Sequence, residues 1–301
     1  MDSSNSARRT PLLVAVVLAA RPKTLPAAVV PVWLGCLLAW RELGALDLRL
    51  AVFTLLGALA IQVATNFFND AIDHAKGADT AARLGPRRVT ASGMLPRRAV
   101  YLLALGALGL AAWSGVPLYH ARGWPMLAIG IPSLYLAFGY TGGPLPLAYR
   151  GLGEVFVIGF FGFVAVMGTV FVQTGEWPAA AALLGAQVGL FSAVLIAINN
   201  LRDVDEDRSS GKRTLAVRFG KRFARATIVG FCVVPQLLGV GWLALGSGGL
   251  ALAGLPAAVV GAAVMRVVAV EPGAGYNRYL ALAAVQLLVF ALGMSVAVVL
   301  A

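Results

Sequence analysis

Charged residues are scarce in this chain. They make up 12% of its 301 residues, about half the share of a soluble domain. So little charge cannot clothe the surface of a large soluble helical core. Cysteine and histidine are nearly missing, with two of each. Cys36 and Cys232 both fall in apolar stretches, which excludes a disulfide framework and a zinc site and leaves them as small packing residues. His74 stands alone beside an acidic cluster and His120 alone in a loop; neither makes a metal site. Segments of alternating apolar and polar residues are absent too, which excludes a closed β-barrel.

Long apolar runs take their place, and mean hydropathy is +0.84. A bilayer-spanning helix needs roughly 20 mostly apolar residues. Nine such spans are predicted: Leu25–Trp40, Leu50–Phe68, Ala99–Tyr119, Trp124–Gly139, Leu152–Gln173, Pro178–Leu201, Phe223–Leu245, Leu250–Val268 and Tyr279–Ala301. Gly and Pro inside them are tolerated in membrane helices, where neighbours re-satisfy the freed backbone groups. The expected fold is an all-α integral membrane protein, one domain over residues 1–301, with nine transmembrane helices around a central cavity. Residues 1–20 form its N-terminal segment. There, Arg8 and Arg9 ahead of Leu12–Ala20 imitate a signal peptide. However, Arg21-Pro-Lys23 breaks the run and a second apolar stretch follows at once, so Leu12–Ala20 is expected to be a short, uncleaved interfacial helix.

The formal net charge is +11. On the predicted topology almost all Lys and Arg lie on one side of the membrane, and only Arg41, Arg49 and Arg122 on the other. That asymmetry is the positive-inside signature. It places the N-terminus and two long basic loops in the cytoplasm and the C-terminus outside, in a multi-pass protein of the cell inner membrane. Topology and an anionic ligand account for the basic balance, and no nucleic-acid partner is invoked.

Most of the 13 acidic residues gather in two short clusters at the cytoplasmic ends of the second and sixth spans. The first reads Asn66-Phe-Phe-Asn69-Asp70-Ala-Ile-Asp73, followed by Asp79; the second reads Asn199-Asn200-Leu-Arg202-Asp203-Val-Asp205-Glu206-Asp207. Asn66, Asp70 and Asp73 are spaced i, i+4, i+7, and Asn199, Asp203 and Asp207 are spaced i, i+4, i+8, so each set is expected on one helix face. Ionisable residues at membrane helices are costly and point to function. Crowded carboxylates repel unless protonated or bridged by a cation. Mg²⁺ fits best, being held by one or two carboxylates plus substrate phosphates. Asp205 and Glu206 read as solvated loop acids. Asn66 and Asn199, and likewise Asp70 and Asp203, are separated by a common offset of 133. Four spans lie in that interval, so a parallel four-helix pseudo-repeat is expected, with one cluster from each half facing the cavity. Lys212 and Arg213 after the second cluster, and Arg87 and Arg88 after the first, complete an anion site for a diphosphate. Arg97, Arg98, Lys221, Arg222 and Arg225 read as topological anchors.

These residues resemble the UbiA superfamily of intramembrane prenyltransferases, whose two motifs appear here as Asn69-Asp70-x-x-Asp73 and Asp203-x-x-x-Asp207. Within it the chain looks most like 1,4-dihydroxy-2-naphthoate polyprenyltransferases of menaquinone synthesis. The similar stretches are Arg21–Pro26, Arg83–Arg87, Thr90–Gly93, Tyr140–Pro146, Tyr149–Glu154, Asn200–Asp203 and Gly211–Val217, in the expected order. The resemblance implies that Asp70, Asp73, Asp79, Asp203 and Asp207 hold Mg²⁺, with Asp79 set further from Asp73 than the bare motif has it. It also implies that Lys212 assists departure of the diphosphate, and that an isoprenyl diphosphate and an aromatic acceptor are the substrates. Loss of carbon dioxide from dihydroxynaphthoate would restore aromaticity without a strong protein base. Asn66, Asn69, Asn199, Arg87, Arg88, Arg150 and Arg213 are expected around the substrates. Tyr140 and Tyr149 suit either the face of the allyl cation or an interfacial belt, and Glu154 suits the acceptor or a basic partner. The rival readings are another aromatic acceptor (a hydroxybenzoate, homogentisate, a chlorin or a haem) and a transporter. A transporter is disfavoured because the acids sit at one membrane face and not at the midplane. Nothing in the sequence sets prenyl length or oligomeric state.

Overall fold

Helix starts in this chain are marked by proline, whose missing N–H costs nothing in a first turn. The computed structural model describes residues 11–77, 84–85 and 88–300. Its helices are α1 (Leu12–Ala20), α2 (Pro26–Leu43), α3 (Leu48–Ala75), α4 (Arg97–Arg122), α5 (Pro125–Gly139), α6 (Gly153–Thr174), α7 (Ala179–Arg202), α8 (Val204–Ser209), α9 (Leu215–Ala244), α10 (Gly248–Ala269) and α11 (Tyr276–Leu300). Pro26 and Pro125 sit in the first turns of α2 and α5, while Pro96 and Pro178 directly precede α4 and α7. Asp47 caps α3, its side chain accepting from the Leu50 N–H at 3.0 Å.

Eight of these helices are long and apolar enough to cross a membrane. The expected span at Trp124–Gly139 is the exception: α5 has 15 residues, about 22 Å of helix, short of a hydrocarbon core of about 30 Å. Pro132 inside it and the turn beginning at Tyr140 limit its length. It packs against α3 and α4 and completes one wall of the interior.

α7 is the centre of the bundle. Two thirds of its span is buried (67%), more than of any other, which explains why it is apolar all round. Its neighbours are α6, α9, α11 and α2. Contact with α6 depends on glycine: a Cβ on Gly162 would lie 2.4 Å from the Gly185 carbonyl oxygen, and one on Gly189 would lie 2.7 Å from that of Ile158. Small residues let membrane helices approach this closely. Over the same stretch, Ile158–Met167, α6 widens to π winding, a departure found mostly at functional sites.

Two polar devices hold the frame. Pro235 sits inside α9; the Gln187 amide of α7 donates to its carbonyl at 2.8 Å and accepts from the Trp242 indole N–H at 3.0 Å. At the end away from the acidic clusters, Arg122 donates to the carbonyls of Phe171, Val172 and Gln173 at the end of α6, groups a helix cannot satisfy internally.

The second and seventh spans differ most from expectation, with α9 beginning at Leu215, eight residues before Phe223. α3 runs to Ala75, seven residues past Phe68, so Asn69, Asp70 and Asp73 stand on its last two turns, rigidly placed. α1 is helical as expected. Its Ala15 and Ala19 are buried in a cluster that includes Ala64, Phe67 and Phe68 of α3, while Leu12 and Leu13 are exposed.

Candidate active site

The two acidic clusters meet at one chamber of about 1290 Å³. Its mouth is lined by Asn66, Asn69, Asp73, Asn199, Asp203, Asp207 and Lys212; its interior is apolar and reaches Leu118 and Met126 at the far ends of α4 and α5. Such a cavity, with a few convergent polar groups at one end of an apolar volume, suits a long amphiphile.

On α3 the face turned to the chamber is Asn66, Asn69 and Asp73. Asp70 lies about 60° round the helix from Asp73, at 100° per residue, and meets the loop instead. Its two carboxylate oxygens accept from the backbone N–H groups of Val89 (3.0 Å) and Thr90 (2.9 Å), and it is 1% exposed. It is not among the chamber-lining residues. Asp73 accepts from Arg88 at 3.0 Å and from the Tyr149 hydroxyl at 2.9 Å, with the Lys212 ammonium at 3.5 Å. Asn69 accepts from the Thr141 hydroxyl. Asn66 donates to the Ala20 carbonyl (2.8 Å) and the Thr24 hydroxyl (2.9 Å), so it ties down the turn before α2 that brings Arg21 and Lys23 to the chamber wall. Arg21 pays for that turn with φ 52, the one positive value for a non-glycine among the described residues.

The second cluster sits where α7 gives way to α8. Arg202 grips Asp203 with two hydrogen bonds of 2.6 Å and reaches Asn199 and Asn277 at 2.8 Å. Asp207 is one turn further on, and Lys212 lies 3.8 Å from it. Lys212 thus stands between the clusters, joined to Asp73 on one side and Asp207 on the other. Burial pushes the Asp207 carboxyl up to about 7; Lys212 opposes the shift, and Asp203, Asp73 and Glu206 reinforce it. Asn69 and Asp73 share the chamber with Asp203 and Asp207 at an offset of 134, while Asn66 and Asn199 line it at the expected offset of 133.

Among the described residues no three His, Cys, Asp or Glu side chains form a ready metal cage. The donors that face the chamber are oxygens on two separate helix ends, with one carboxyl held near neutrality by its burial. This set fits Mg²⁺, which keeps few protein ligands and completes its shell with phosphates and water, and does not fit a metal needing soft or fixed ligands.

The remaining predicted residues divide between two places. Tyr140 and Glu154 line the chamber, and so does Arg88. Burial, then the charges of Glu154, Asp73 and Asp207, holds the Tyr140 phenol well above its usual range, so it remains protonated. Glu154 is 3% exposed; its Oε1 accepts from Asn200 at 2.9 Å, while Oε2 has no partner among the described residues. Tyr149 forms part of the chamber's supporting wall through its bond to Asp73, with the Lys76 ammonium 3.9 Å from its ring centre. Arg150 and Arg213 are not brought to the chamber; they lie in a second pocket behind Tyr149. Asp79 and Arg87, together with Arg8, Arg9 and Arg83, lie outside the described residues.

The geometry also adds residues to which the sequence reading gave no role. Arg202, Thr141 and Asn277 position the polar mouth. Phe156 and Phe160, stacked at 4.3 Å with Tyr140 next to Phe156 at 5.4 Å, make an aromatic wall just inside it. A signal existed for the two phenylalanines: they are i, i+4 on α6, two and six residues after Glu154.

The sequence matches the UbiA prenyltransferase family over residues 28–285. The 1,4-dihydroxy-2-naphthoate octaprenyltransferase of Bacillus subtilis is 34% identical over 75% of this chain and 73% of its own. That of Escherichia coli is 37% identical over 68% of each chain. In fold, a UbiA homologue from Aeropyrum pernix superposes with a TM-score of 0.69 at 19% identity, covering 95% of this chain and 98% of its own. One from Archaeoglobus fulgidus bound to GPP and Mg²⁺ gives 0.67 at 13% identity, covering 93% and 99%. The chain belongs to the UbiA prenyltransferase family.

Proposed function

We propose that the protein transfers a polyprenyl group from an isoprenyl diphosphate to 1,4-dihydroxy-2-naphthoate, with decarboxylation, in a Mg²⁺-dependent reaction that gives the quinol form of demethylmenaquinone. One observation carries the chemistry: a single chamber joins both acidic clusters to an apolar, aromatic-walled interior. The acceptor follows from relatives at 34–37% identity that bear that activity in their names, and the donor from homologues solved with DMAPP or GPP and Mg²⁺.

Asn69, Asp73, Asp203 and Asp207 would hold the magnesium, which when bound neutralises the diphosphate and makes it a better leaving group. Lys212 and Arg88 reach the same end of the chamber and take the outer diphosphate oxygens, where negative charge grows as the allylic C–O bond breaks. The electron pair of that bond leaves on the diphosphate. Tyr140, Phe156 and Phe160 present ring faces to the resulting allyl cation, and the apolar interior keeps water from it. Glu154 accepts a hydroxyl hydrogen of the naphthoate on Oε2, and Asn200 fixes its other oxygen. The ring carbon bearing the carboxylate bonds to the prenyl carbon; carbon dioxide then leaves, and its bond pair restores the aromatic ring. The protein supplies no general base, which suits a chamber without histidine.

The same reading puts the acidic mouth and the N-terminus in the cytoplasm and the C-terminus outside, in the cell inner membrane, as the lysine and arginine distribution favours. The test is an assay of purified protein in lipid with Mg²⁺, an isoprenyl diphosphate and a panel of acceptors. Prenylated, decarboxylated naphthol is expected by mass, together with released diphosphate. Transfer to 4-hydroxybenzoate or homogentisate in place of dihydroxynaphthoate would overturn the acceptor, and no Mg²⁺-dependent diphosphate release would overturn the reaction.

A further inference from the structure

Behind the Tyr149 wall, on the membrane face that carries the acidic clusters, lies a second pocket of about 630 Å³ whose charged lining is Arg150, Arg213 and Arg218. Among the described residues no carboxylate lines it. Four arginines elsewhere on this face are paired, Arg88 with Asp73, Arg202 with Asp203, Arg208 with Asp205 and Arg225 with Glu271; Arg97, Arg98 and Arg266 make no such pair with a described residue. None of the three pocket arginines makes an ion pair with a described residue; the only side-chain bond among them is from Arg150 to the Pro144 carbonyl at 3.4 Å.

The three are gathered by the backbone. The Arg213 N–H donates to the Tyr149 carbonyl at 3.0 Å, which ties the loop after α8 to the turn before α6. Gly151 lets these segments close: its φ is +73, and a Cβ there would lie 2.5 Å from the Arg213 carbonyl oxygen and 3.3 Å from Arg218 Cδ. Such an approach concentrates like charge at a cost, which an anion would offset. Leu152 in the lining is exposed, as are Leu145 and Phe219 beside lining residues and Phe223 one turn beyond. Exposed leucine and phenylalanine next to arginine mark the level where acyl chains meet headgroups.

We propose that this pocket binds the phosphate of an anionic phospholipid headgroup, at a site separate from the chamber. Guanidinium forks suit phosphate oxygens, and the apolar rim suits the acyl chains below them. Inorganic diphosphate offers the same oxygens without chains, so it serves as the competing source.

The experiment is native mass spectrometry of the full-length protein released from nanodiscs containing phosphatidylglycerol and phosphatidylcholine. The wild type is expected to retain phosphatidylglycerol selectively, and millimolar inorganic diphosphate is expected not to displace it. Combining Arg150→Gln, Arg213→Gln and Arg218→Gln should weaken retention on the order of a hundredfold, roughly fivefold per arginine. A charge-matched control combining Arg97→Gln, Arg98→Gln and Arg266→Gln, all exposed on the same face, should retain lipid as the wild type does. Gly151→Ala should weaken retention without removing any charge. Equal loss in the control, or unchanged retention in the triple variant, overturns the proposal. Displacement by diphosphate overturns the lipid assignment in favour of a free phosphate anion. If the triple variant does not fold, Arg218→Gln alone decides: a several-fold loss supports the site, and none overturns it.

Discussion

Asp70→Asn separates the two tasks of the first acidic cluster. The Asp70 carboxylate accepts two backbone N–H groups at 2.9 and 3.0 Å in a fully buried setting. An amide keeps one acceptor oxygen and turns an NH₂ group toward the other donor. One orphaned buried N–H costs about 1–3 kcal/mol, and the surviving bond loses its charge assistance. The Arg88–Thr90 turn should therefore loosen by about 2–4 kcal/mol, a factor of roughly thirty to a thousand in local opening. Hydrogen exchange in peptides spanning Arg88–Leu95 should speed up by such a factor, because those amides lose their anchor. Arg88 would then be less often on Asp73, and the rate of prenyl transfer should fall. The Mg²⁺ concentration for half-maximal rate should stay close to wild type, since Asp70 does not face the chamber. Asp73→Asn should do the reverse to the metal and raise that concentration at least tenfold. Unchanged exchange at Arg88–Leu95 combined with a raised Mg²⁺ requirement in Asp70→Asn would make Asp70 a metal ligand and refute the division.

Lys212→Ala should lower kcat/KM for the prenyl diphosphate by roughly a hundredfold, while Lys221→Ala, whose partners Asp205 and Glu271 are exposed, should change it less than twofold; equal losses would contradict the placement of Lys212. Glu154→Gln should raise KM for the naphthoate with little change in KM for the diphosphate, measured by varying each substrate in turn. Because burial holds the Asp207 carboxyl near 7 without metal, the proton competes with Mg²⁺ below that pH. Half-saturation by Mg²⁺ should therefore improve as pH rises from about 6 to about 8, and a flat profile would exclude Asp207 from the metal set. On a background lacking Cys36 and Cys232, Ser92→Cys and Ser209→Cys should both resist an impermeant thiol reagent in intact cells; labelling of either from outside would reverse the orientation.

The spans were legible because a bilayer leaves so few alternatives. The largest boundary shifts came at polar ends, where hydropathy stops speaking before the helix stops. α3 is the clearest case. Its apolar run ends at Phe68, yet Asn69, Asp70 and Asp73 continue the same helix to Ala75 because other chain segments satisfy their side chains. The two acidic clusters were legible for a related reason: a carboxylate in a membrane helix is expensive and has to be explained. Which carboxylate faces inward was not legible. Asp70 and Asp73 differ by a sixth of a turn, and what decides between them is a pair of N–H groups about twenty residues away.

Adjacency in sequence misled for the basic residues. Lys212 and Arg213 look like one phosphate clamp, but they lie on a non-helical stretch between α8 and α9. Neighbouring side chains on an extended backbone point to opposite sides; Lys212 enters the chamber and Arg213 the pocket behind it. The aromatic wall was hidden for the opposite reason. Phe156 and Phe160 sit in a span that is apolar throughout, and in such a span an apolar residue that lines a cavity carries the same local signal as one that faces lipid. Only its neighbours in space distinguish it, here the stacked ring one turn away and Tyr140 just past the end of α5. In a membrane enzyme of this kind, polar chemistry is therefore readable from residue type, because each polar group has a cost to account for. The shape that receives the prenyl chain is readable only once helix contacts such as Gly162 against Gly185 have set the walls.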